Sequence, residues 1–482
     1  MVEVTSHLPS IVLLLWFVVV PLFSAGDAIH CLEEERVVSL QRLQGKENKP
    51  VQKCLPQRSR REKSTAILEL RHHSYCLGPK RNQEYRTWNL LVSDNARVSS
   101  FQSQIENSRS GRTQEWSSQA QIPLISGVEL QTMNYVVTVE LGNEKMTMIV
   151  DTGSDLTWVQ CKPCTACYSQ QDPIFDPSIS SSYKTIACNS SVCDSLQLST
   201  GGSDFCDIDQ PSCNYDLSYG DGSYSRGVLA QDSMNLAGNI IESFLFGCGR
   251  NNQGLFGGTS GLMGLGRSQI SLVSQTITQF GGVFSYCLPM KEYDSSGSLV
   301  LGADSSIYRN LTPVVYTKMI SDPLEGPFYF LKLTGMSIGG VKVQASGFST
   351  GKVLIDSGTV ITRLVPSVYN AVKSEFLKQF SGYPIAPGFS ILDTCFNLAG
   401  YMEVKIPTIK LELEGNVTVE VDASGVLYFV KNDASQVCLA LASLSYEYEV
   451  GILGNYQQKN LRVIYDTAGS RIGFAVETCD YI

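Results

Sequence analysis

Histidine is scarce in this sequence and unevenly distributed. Among 482 residues the four histidines are His7, His30, His72 and His73, so residues 74–482 contain none. This absence removes Ser-His-Asp and Cys-His catalysis, and histidine-ligated metal sites, from most of the chain. Acid–base chemistry in that part must therefore depend mainly on carboxylates.

Charged residues are also few, at 17%, whereas hydrophobic residues make up 43%. This composition excludes a disordered chain and a coiled coil, and it is sufficient for a sizeable buried core. The length fits about three domains, or two larger β-rich ones.

The charges divide the chain into two parts of opposite sign. Residues 26–126 carry a net charge of +5, whereas residues 127–482 carry a net charge of −13. The basic part is either an inhibitory or chaperoning pro-segment that neutralises an acidic cleft, or simply a solvated surface of different composition. The acidic body would repel a nucleic-acid backbone, so we do not expect nucleic acid as a partner.

The sequence lacks an apolar run long enough to cross a bilayer as a helix, which takes about 20 residues. The apolar run at residues 11–23 is shorter and precedes the small residues Ser24, Ala25 and Gly26. This pattern favours a cleaved secretory signal over a membrane anchor or a transit peptide, although the first residues include Glu3 and no basic residue. We therefore predict a signal peptide at residues 1–26 and no membrane span.

Cysteine is abundant, with 15 residues, as in exported proteins. Cys31, Cys54 and Cys76 lie in the basic part. An even number remains in the body, enough for six disulfides, and their connectivity cannot be read from the sequence. A zinc site at Cys161, Cys164 and Cys167 is less favoured than disulfides, because no histidine accompanies these cysteines. The twelve disulfide candidates are Cys161, Cys164, Cys167, Cys188, Cys193, Cys206, Cys213, Cys248, Cys287, Cys395, Cys438 and Cys479.

Three Asn-x-Ser/Thr sequences are candidate glycosylation sites in an exported protein, at Asn189, Asn310 and Asn416. Each would need to be exposed to accept a glycan.

The amino-acid composition of the sequence changes near residue 133. Residues 27–126 are rich in Arg, Gln, Ser and Glu and form the predicted pro-segment. The later residues form short runs of β-branched and aromatic residues between Gly, Asn, Asp and Ser turns, which predicts a mainly β body. Helical periodicity is confined to pieces such as residues 366–380.

An internal repeat organises the body. The sequence Asp-Thr-Gly-Ser at residues 151–154 is echoed 205 residues later by Asp-Ser-Gly-Thr at residues 356–359. Each copy is followed further along by two apolar residues and a glycine, at 262–264 and 452–454. The repeat predicts two lobes of similar design, an N-terminal lobe over 127–325 and a C-terminal lobe over 326–482.

Each copy of the repeat places a carboxylate on a glycine turn after an aliphatic run. Glycine lets backbone N–H groups approach the carboxylate, and the neighbouring hydroxyls donate hydrogen bonds. One such turn is usually an ordinary loop, but two copies at lobe spacing predict that Asp151 and Asp356 meet across a pseudo-twofold axis. Two carboxylates at close range cannot both ionise easily, so they share a proton and titrate as a coupled pair.

Together these motifs resemble those of pepsin-like aspartic proteases, in particular the plant atypical group that includes the nepenthesins and the chloroplast-nucleoid DNA-binding protease relatives. The resemblance covers residues 131–479, and the cysteine-rich stretch at 161–213 matches the insertion of that group. The matching stretches are DTGSDLTW at 151–158, YGDGS at 219–223, FGCG at 246–249, GLMGLG at 261–266, IDSGTVIT at 355–362, ILGN at 452–455 and YD at 465–466.

The resemblance implies a bilobal, all-β fold and an endopeptidase of acidic pH without cofactor or metal. Asp151 and Asp356 would activate the attacking water, one as general base and the other as acid toward the scissile carbonyl. Ser154 and Thr359 would donate hydrogen bonds to their outer carboxylate oxygens.

The remaining residues of the two turns would support the pair. The resemblance implies that Thr152 and Ser357 tie the two loops together, and that Gly153 and Gly358 supply backbone donors. Ser357 stands where pepsin has threonine, which keeps the hydroxyl and loses a methyl group.

Tyr219, followed by Gly220, matches the tyrosine of the flap that closes over the substrate, and Trp158 matches its hydrogen-bond partner. Without the resemblance, Trp158 is equally well explained as a core residue and Tyr219 as part of a hairpin turn. Asp155 and Asp221 add negative charge near the predicted cleft, and we hypothesise that they favour basic side chains of the substrate.

We expect a monomer whose partners are protein or peptide substrates and its own pro-segment. The expected location is the apoplast, with the vacuole or a plastid as alternatives. A catalytically silent binder or inhibitor on the same fold is the main alternative function. A two-carboxylate glycosidase has no role for the paired turns and flap, and DNA binding would need the basic segment to stay attached.

Overall fold

The computed structural model describes most of the chain. The described residues are 35–44, 56–72, 83–110, 135–200, 206, 211–219, 222–254, 256–290, 295–304, 308, 311–320, 328–479 and 481. The predicted signal peptide, Cys31, Cys54, Cys76, Gly220 and Asn310 lie outside them.

The N-terminal segment, defined as the described residues from 35 to 110, combines short strands with one long helix. Its strands are Glu35–Ser39, Ser59–Glu62 and Thr65–His72, and its helices are Leu40–Gln44 and Gln83–Ser110. In the long helix Leu91, Val98, Phe101 and Ile105 are buried, and their spacing of three, four or seven residues places them on one face. We did not predict this helix, because its many polar residues obscure the apolar period.

The first half of the body follows this segment and carries the first aspartate turn. Its strands are Tyr135–Leu141, Glu144–Asp151, Trp158–Gln160, Lys184–Thr185, Asn214–Ser218, Tyr224–Leu236, Asn239–Gln253, Gly261–Gly264, Val283–Cys287 and Gly297–Leu301. Its helices are Ser191–Thr200, Leu272–Gln275 and Ile277–Phe280, with a 3₁₀ turn at Pro177–Ile179.

The second half carries the second aspartate turn and one longer helix. Its strands are Val315–Lys318, Phe330–Ile338, Val341–Lys342, Lys352–Ile355, Thr362–Leu364, Ile385–Ala386, Cys395–Phe396, Glu403–Pro407, Ile409–Leu413, Val417–Glu420, Leu427–Phe429, Val437–Leu439, Leu441–Ser443, Gly451–Leu453, Leu461–Asp466 and Arg471–Val476. Its helix is Pro366–Gln379, near the predicted bounds, and its 3₁₀ turns are Ser346–Phe348, Ala423–Gly425 and Asn455–Gln458.

The largest sheet joins the two halves and includes two strands of the N-terminal segment. Strand Leu461–Asp466 of the second half pairs antiparallel with Val283–Cys287 of the first. Strand Thr65–His72 is entirely buried and lies in the same sheet, between Gly297–Leu301 and Tyr135–Leu141. Strand Glu35–Ser39 instead pairs with the second half. The segment is therefore part of both halves of the folded body.

Six disulfides use all twelve cysteines of the body. The pairs are Cys161–Cys248, Cys164–Cys167, Cys188–Cys206, Cys193–Cys213, Cys287–Cys479 and Cys395–Cys438. Cys161, Cys164 and Cys167, the candidates for a zinc site, are thus all disulfide-bonded. Asn189 and Asn416 are exposed, as a glycan acceptor must be.

The prediction of a mainly β fold is confirmed. Among the described residues, no helix is both long enough and apolar enough to cross a membrane.

Candidate functional site

The two aspartate turns are held by the same strand arrangement in both halves. Asp151 ends strand Glu144–Asp151, which pairs in parallel with Gly261–Gly264. Asp356 directly follows Lys352–Ile355, which pairs in parallel with Gly451–Leu453. The apolar residues of the repeat thus form the neighbouring strands, and this pairing fixes the position of each aspartate.

The turn residues donate to the two buried carboxylates in matching patterns. Asp151 accepts from Gly153 N at 3.0 Å and from the Ser154 hydroxyl at 2.8 Å. Asp356 accepts in the same way from Gly358 N at 3.2 Å and from the Thr359 hydroxyl at 2.6 Å. Each carboxylate is therefore oriented by one backbone donor and one hydroxyl of its own turn.

The two carboxylates face each other across the halves. A Cβ atom placed on Gly153 would lie 2.8 Å from Asp356 Oδ1, and one placed on Gly358 would lie 2.7 Å from Asp151 Oδ1. Glycine at both turns is thus a steric requirement of the close approach of the opposite carboxylate.

The turns are also tied together by a reciprocal pair of hydrogen bonds. Ser357 N donates to Thr152 Oγ1 at 2.9 Å, and Thr152 N donates to Ser357 Oγ at 3.1 Å. The Ser357 hydroxyl in turn donates to Val150 O at 3.2 Å. These bonds join residues 205 positions apart, so they fix one half against the other at the carboxylates.

The hairpin that carries Tyr219 lies over a buried aromatic group of the first half. Trp158 is fully buried, and its Nε1–H donates to the Tyr219 hydroxyl at 2.8 Å. Phe256 packs edge-on against both rings. The contact between Tyr219 and Trp158 matches the one implied by the resemblance to pepsin-like proteases.

Arg97 of the long helix occupies the space between the two aspartates. Its Nη2 lies 2.6 Å from Asp151 Oδ1 and 3.1 Å from Asp356 Oδ1, and its Nε lies 3.0 Å from Asp356 Oδ2. The guanidinium also stacks on the Phe101 ring, 4.6 Å from its centre. One cation from the N-terminal segment therefore pairs with both carboxylates.

The ion pairs between Arg97 and the aspartates shift the pKa values of Asp356 and Arg97. Burial by itself would raise the pKa of Asp356, but Arg97 and the donors Thr359 and Gly358 bring it below its ordinary value. Burial likewise opposes the charge of Arg97, but the two carboxylates raise the pKa of its guanidinium above its ordinary value. Both groups are therefore charged near neutral pH while the helix is in place.

Two further contacts fix the long helix to the second half. The Asp94 carboxylate accepts from Val360 N at 2.6 Å and pairs with Arg363 Nη2 at 2.9 Å. The Gln102 amide exchanges two hydrogen bonds with the backbone of Val450, at 2.7 and 2.9 Å.

Asp155 is buried, in contrast to our hypothesis that it adds negative charge near the cleft. Its carboxyl is 5% exposed, Oδ1 accepts from Ser268 N at 2.9 Å, and Oδ2 has no hydrogen-bond partner. Burial raises the pKa of Asp155 to about 7, and the nearby Asp151 contributes to the rise. Asp155 is thus neutral at acidic pH, and Asp221 lies outside the described residues.

The structure brings together the aspartates, hydroxyls and glycines chosen from the sequence, together with the Tyr219–Trp158 pair. Sequence reasoning missed Arg97, Asp94 and Arg363. The basic character of the N-terminal segment was the one available signal, and it did not identify a residue.

Comparisons with protein families give two adjacent matches. The model described as xylanase inhibitor N-terminal matches residues 135–303, and that described as xylanase inhibitor C-terminal matches residues 328–476.

The chain is also similar to curated plant proteins over most of its length. It is 43% identical to an aspartyl protease family protein of Arabidopsis thaliana over 398 residues, which cover 81% of this chain and 82% of that protein. It is 36% identical to the aspartyl protease AED1 of Arabidopsis thaliana, covering 88% and 89% of the two chains. Identity to the aspartic proteinase nepenthesin-1 of Nepenthes gracilis is 34%, covering 73% and 81%.

Solved structures of low sequence identity share the fold. The basic 7S globulin from soybean superposes with a TM-score of 0.57 at 20% identity, covering 72% of this chain and 94% of that one. The protein edgp gives a TM-score of 0.56 at 21% identity, covering 72% and 92%. This likeness supports the bilobal pepsin-like fold.

Proposed function

Since the chain belongs to the plant pepsin-like aspartyl protease family, of nepenthesin type, we propose that it is an endopeptidase that hydrolyses peptide bonds at acidic pH. One observation carries the proposal: Asp151 and Asp356 face each other on matching turns, and the single Arg97 guanidinium pairs with both. A chain without a catalytic role would have no need of two equivalent, buried and individually oriented carboxylates.

The proposed reaction follows from the pair once Arg97 has left. Without a cation between them the two carboxylates cannot both ionise easily, so at acidic pH they hold one proton. The ionised member takes a proton from water, whose oxygen attacks the peptide carbonyl carbon. The protonated member gives its proton to the carbonyl oxygen, which leaves a tetrahedral gem-diol. The member that took the water proton then gives it to the amine nitrogen as the C–N bond breaks, and the other member takes back a hydroxyl proton as the product carboxyl group forms. No covalent enzyme intermediate is needed.

We propose that the N-terminal segment keeps the protein inactive as a zymogen. Arg97 occupies the place of the attacking water and of the scissile bond, and Asp94 and Gln102 hold the helix on either side of it in sequence. A substrate cannot reach the aspartates while the helix stays there.

Acid provides the release in this proposal. The pKa of Asp356 is lowered while the long helix is attached. Ionised Asp356 therefore stabilises the attachment fully at a pH above the ordinary pKa of the carboxyl. This stabilisation is lost as the pH falls through the lowered pKa. Protonation removes the charge partner of Arg97, which weakens the attachment of the helix.

Six disulfides support synthesis for an oxidising compartment, since such bonds are rare in a reducing cytosol. We therefore propose secretion to the apoplast, with the vacuole or a plastid as alternatives.

A catalytically silent binding protein or inhibitor is the second candidate. It is favoured by the description of the matching family models, which names a xylanase inhibitor. The presence of both aspartates with all their donors favours the endopeptidase.

The test is cleavage of an unfolded protein between about pH 3 and pH 7 by the processed body. The matched variants are Asp151→Asn and Asp356→Asn, and the control is Asp433→Asn, which changes an exposed carboxylate of the second half. We expect acid-dependent cleavage that falls at least roughly 100-fold in either dyad variant and stays unchanged in the control.

The N-terminal segment of every variant is removed with an added protease, because a dyad variant cannot process itself. Folding is checked by circular dichroism, and removal of the segment by intact mass. Absence of cleavage by a folded and processed wild-type body would contradict the proposal and favour the binding protein.

A further inference from the structure

Asp94 fits into a prepared site for a carboxylate in the second half. Its Oδ1 accepts from Val360 N at 2.6 Å, and its Oδ2 accepts from Ile361 N at 3.3 Å and from Arg363 Nη2 at 2.9 Å. The site therefore consists of two backbone N–H groups and one guanidinium. We call it the Arg363 site.

The cation of this site is deeply buried. The Arg363 side chain is 1% exposed and its Nη1 donates to Ile361 O at 2.8 Å. In the described part of the chain, Asp94 is the one carboxylate that pairs with Arg363. Burial lowers the pKa of Arg363 and Asp94 acts against this effect, so the ion pair is what sustains the charge.

The internal repeat places Arg363 at the position equivalent to Trp158. Arg363 follows its aspartate at the same distance in sequence as Trp158 follows Asp151, seven residues. The two are also equivalent in the sheets, since Trp158 pairs with Leu262 and Arg363 with Ile452. In the first half this position contacts the hairpin through Tyr219, whereas in the second half it contacts the N-terminal segment through Asp94.

Removal of the segment would expose a cation and two N–H groups that had shared one carboxylate. Leaving a buried charge without its partner is costly, so the site favours an anionic replacement. A peptide substrate takes the place of the segment in the cleft. Its acidic side chains have the same carboxylate as Asp94.

We infer that the Arg363 site is a substrate subsite for an Asp or Glu side chain. The inference rests on the proposed endopeptidase function and adds a specificity to it. Asp94 lies three residues before Arg97 on the same helix, a rise of about 4.5 Å, and an extended substrate advances about 3.3 Å per residue. The acidic residue therefore lies within about three residues of the cleaved bond.

The experiment uses peptides that differ only by Glu or Gln, placed in turn at each of the four positions on either side of one scissile bond. The processed wild-type body is assayed at about pH 5, where glutamate is mainly ionised. We expect kcat/KM to be at least about tenfold higher for Glu than for Gln at one position. A ratio below about twofold at every position overturns the inference.

Variants assign the preference to the guanidinium. Arg363→Gln should bring the Glu/Gln ratio close to one, and Arg363→Lys should retain part of it. Arg471→Gln, which changes a surface arginine of the same half, should leave the ratio unchanged. A ratio that survives in a folded Arg363→Gln body overturns the assignment. If that variant does not fold, the wild-type comparison still decides the inference.

A binding measurement separates this inference from the proposed function. The Asp151→Asn chain, which cannot process itself, is freed of the N-terminal segment with an added protease. It is then titrated with fluorescent Glu and Gln peptides, and binding is followed by anisotropy. Tighter binding of the Glu peptide without any cleavage by the wild-type body would support the Arg363 site and contradict the endopeptidase. Cleavage without any Glu preference would support the endopeptidase and contradict the Arg363 site. This result is expected if water alone solvates Arg363.

Discussion

Arg97 Nη2 lies 2.6 Å from Asp151 Oδ1, although the two residues belong to different parts of the chain. Asp151 stands on a turn of the body, and Arg97 stands on a helix of the N-terminal segment. Because the same guanidinium contacts Asp356, one ionic group fills the centre of the site. The proposed inhibition therefore depends on a charge and not only on steric cover.

Replacement of Arg97 should lower the barrier to activation. In Arg97→Gln the two carboxylates lose their cation and repel each other, so the helix is released at a higher pH. We expect the full-length variant to begin processing at least about one pH unit above the wild-type chain. The measurement is the pH at which half of the chain is processed, followed by gel electrophoresis.

The control for this prediction is Arg109→Gln, an exposed arginine on the same helix. It should process at the pH of the wild-type chain. Identical pH profiles for Arg97→Gln and wild type would contradict a role of the ion pair in activation.

Asp155 should make the folded protein less stable as the pH rises. Burial raises the pKa of Asp155 to about 7, whereas an aspartate in the unfolded chain loses its proton near pH 4. Between these values the folded state binds more protons, so the free energy of unfolding falls as the pH rises, by roughly 4 kcal/mol in total. This stabilisation is complete below about pH 4 and is lost through about pH 7.

Asp155→Asn should remove this part of the pH dependence and be more stable than the wild-type chain above about pH 7. Its carbonyl oxygen can still accept from Ser268 N. Urea unfolding of both proteins at a series of pH values gives the difference. Parallel curves for the two proteins would show that Asp155 is ionised in the fold.

The hydrogen bonds between Thr152 and Ser357 should stabilise the junction of the two halves. Ser357→Ala leaves the buried Thr152 N–H without its acceptor, which costs roughly 1 to 3 kcal/mol. Ser357→Thr keeps the hydroxyl and serves as the matched control. We expect a lower urea midpoint and a lower kcat for the alanine variant alone; equal losses in both variants would point to packing instead.

The Tyr219 hydroxyl should contribute to catalysis through the position of its hairpin. Tyr219→Phe leaves the buried Trp158 N–H without an acceptor, so the hairpin loses its anchor. We expect kcat/KM to fall roughly tenfold. Tyr316→Phe, at a partly exposed tyrosine, should have no effect. A double-mutant cycle with Trp158→Phe measures the coupling, and additive effects would exclude it.

Features whose signal is local or repeated could be predicted from the amino-acid sequence. Alternating β-branched runs predicted a mainly β body, and the duplicated turns at Asp151 and Asp356 predicted that the two carboxylates meet. Turn chemistry and strand period act over a few residues, so both can be read without the fold. The even number of body cysteines indicated disulfides, but not their partners.

Ion pairs between distant residues could be found only in the folded structure. Arg97 and Asp94 lie on a polar helix, and no local pattern relates them to carboxylates or a guanidinium more than 50 residues away. The burial of Asp155 could not be predicted either, because the local sequence does not distinguish an aspartate in a cleft from one buried beneath it. Ion pairing and burial depend on distance and on excluded water, and the folded chain sets both.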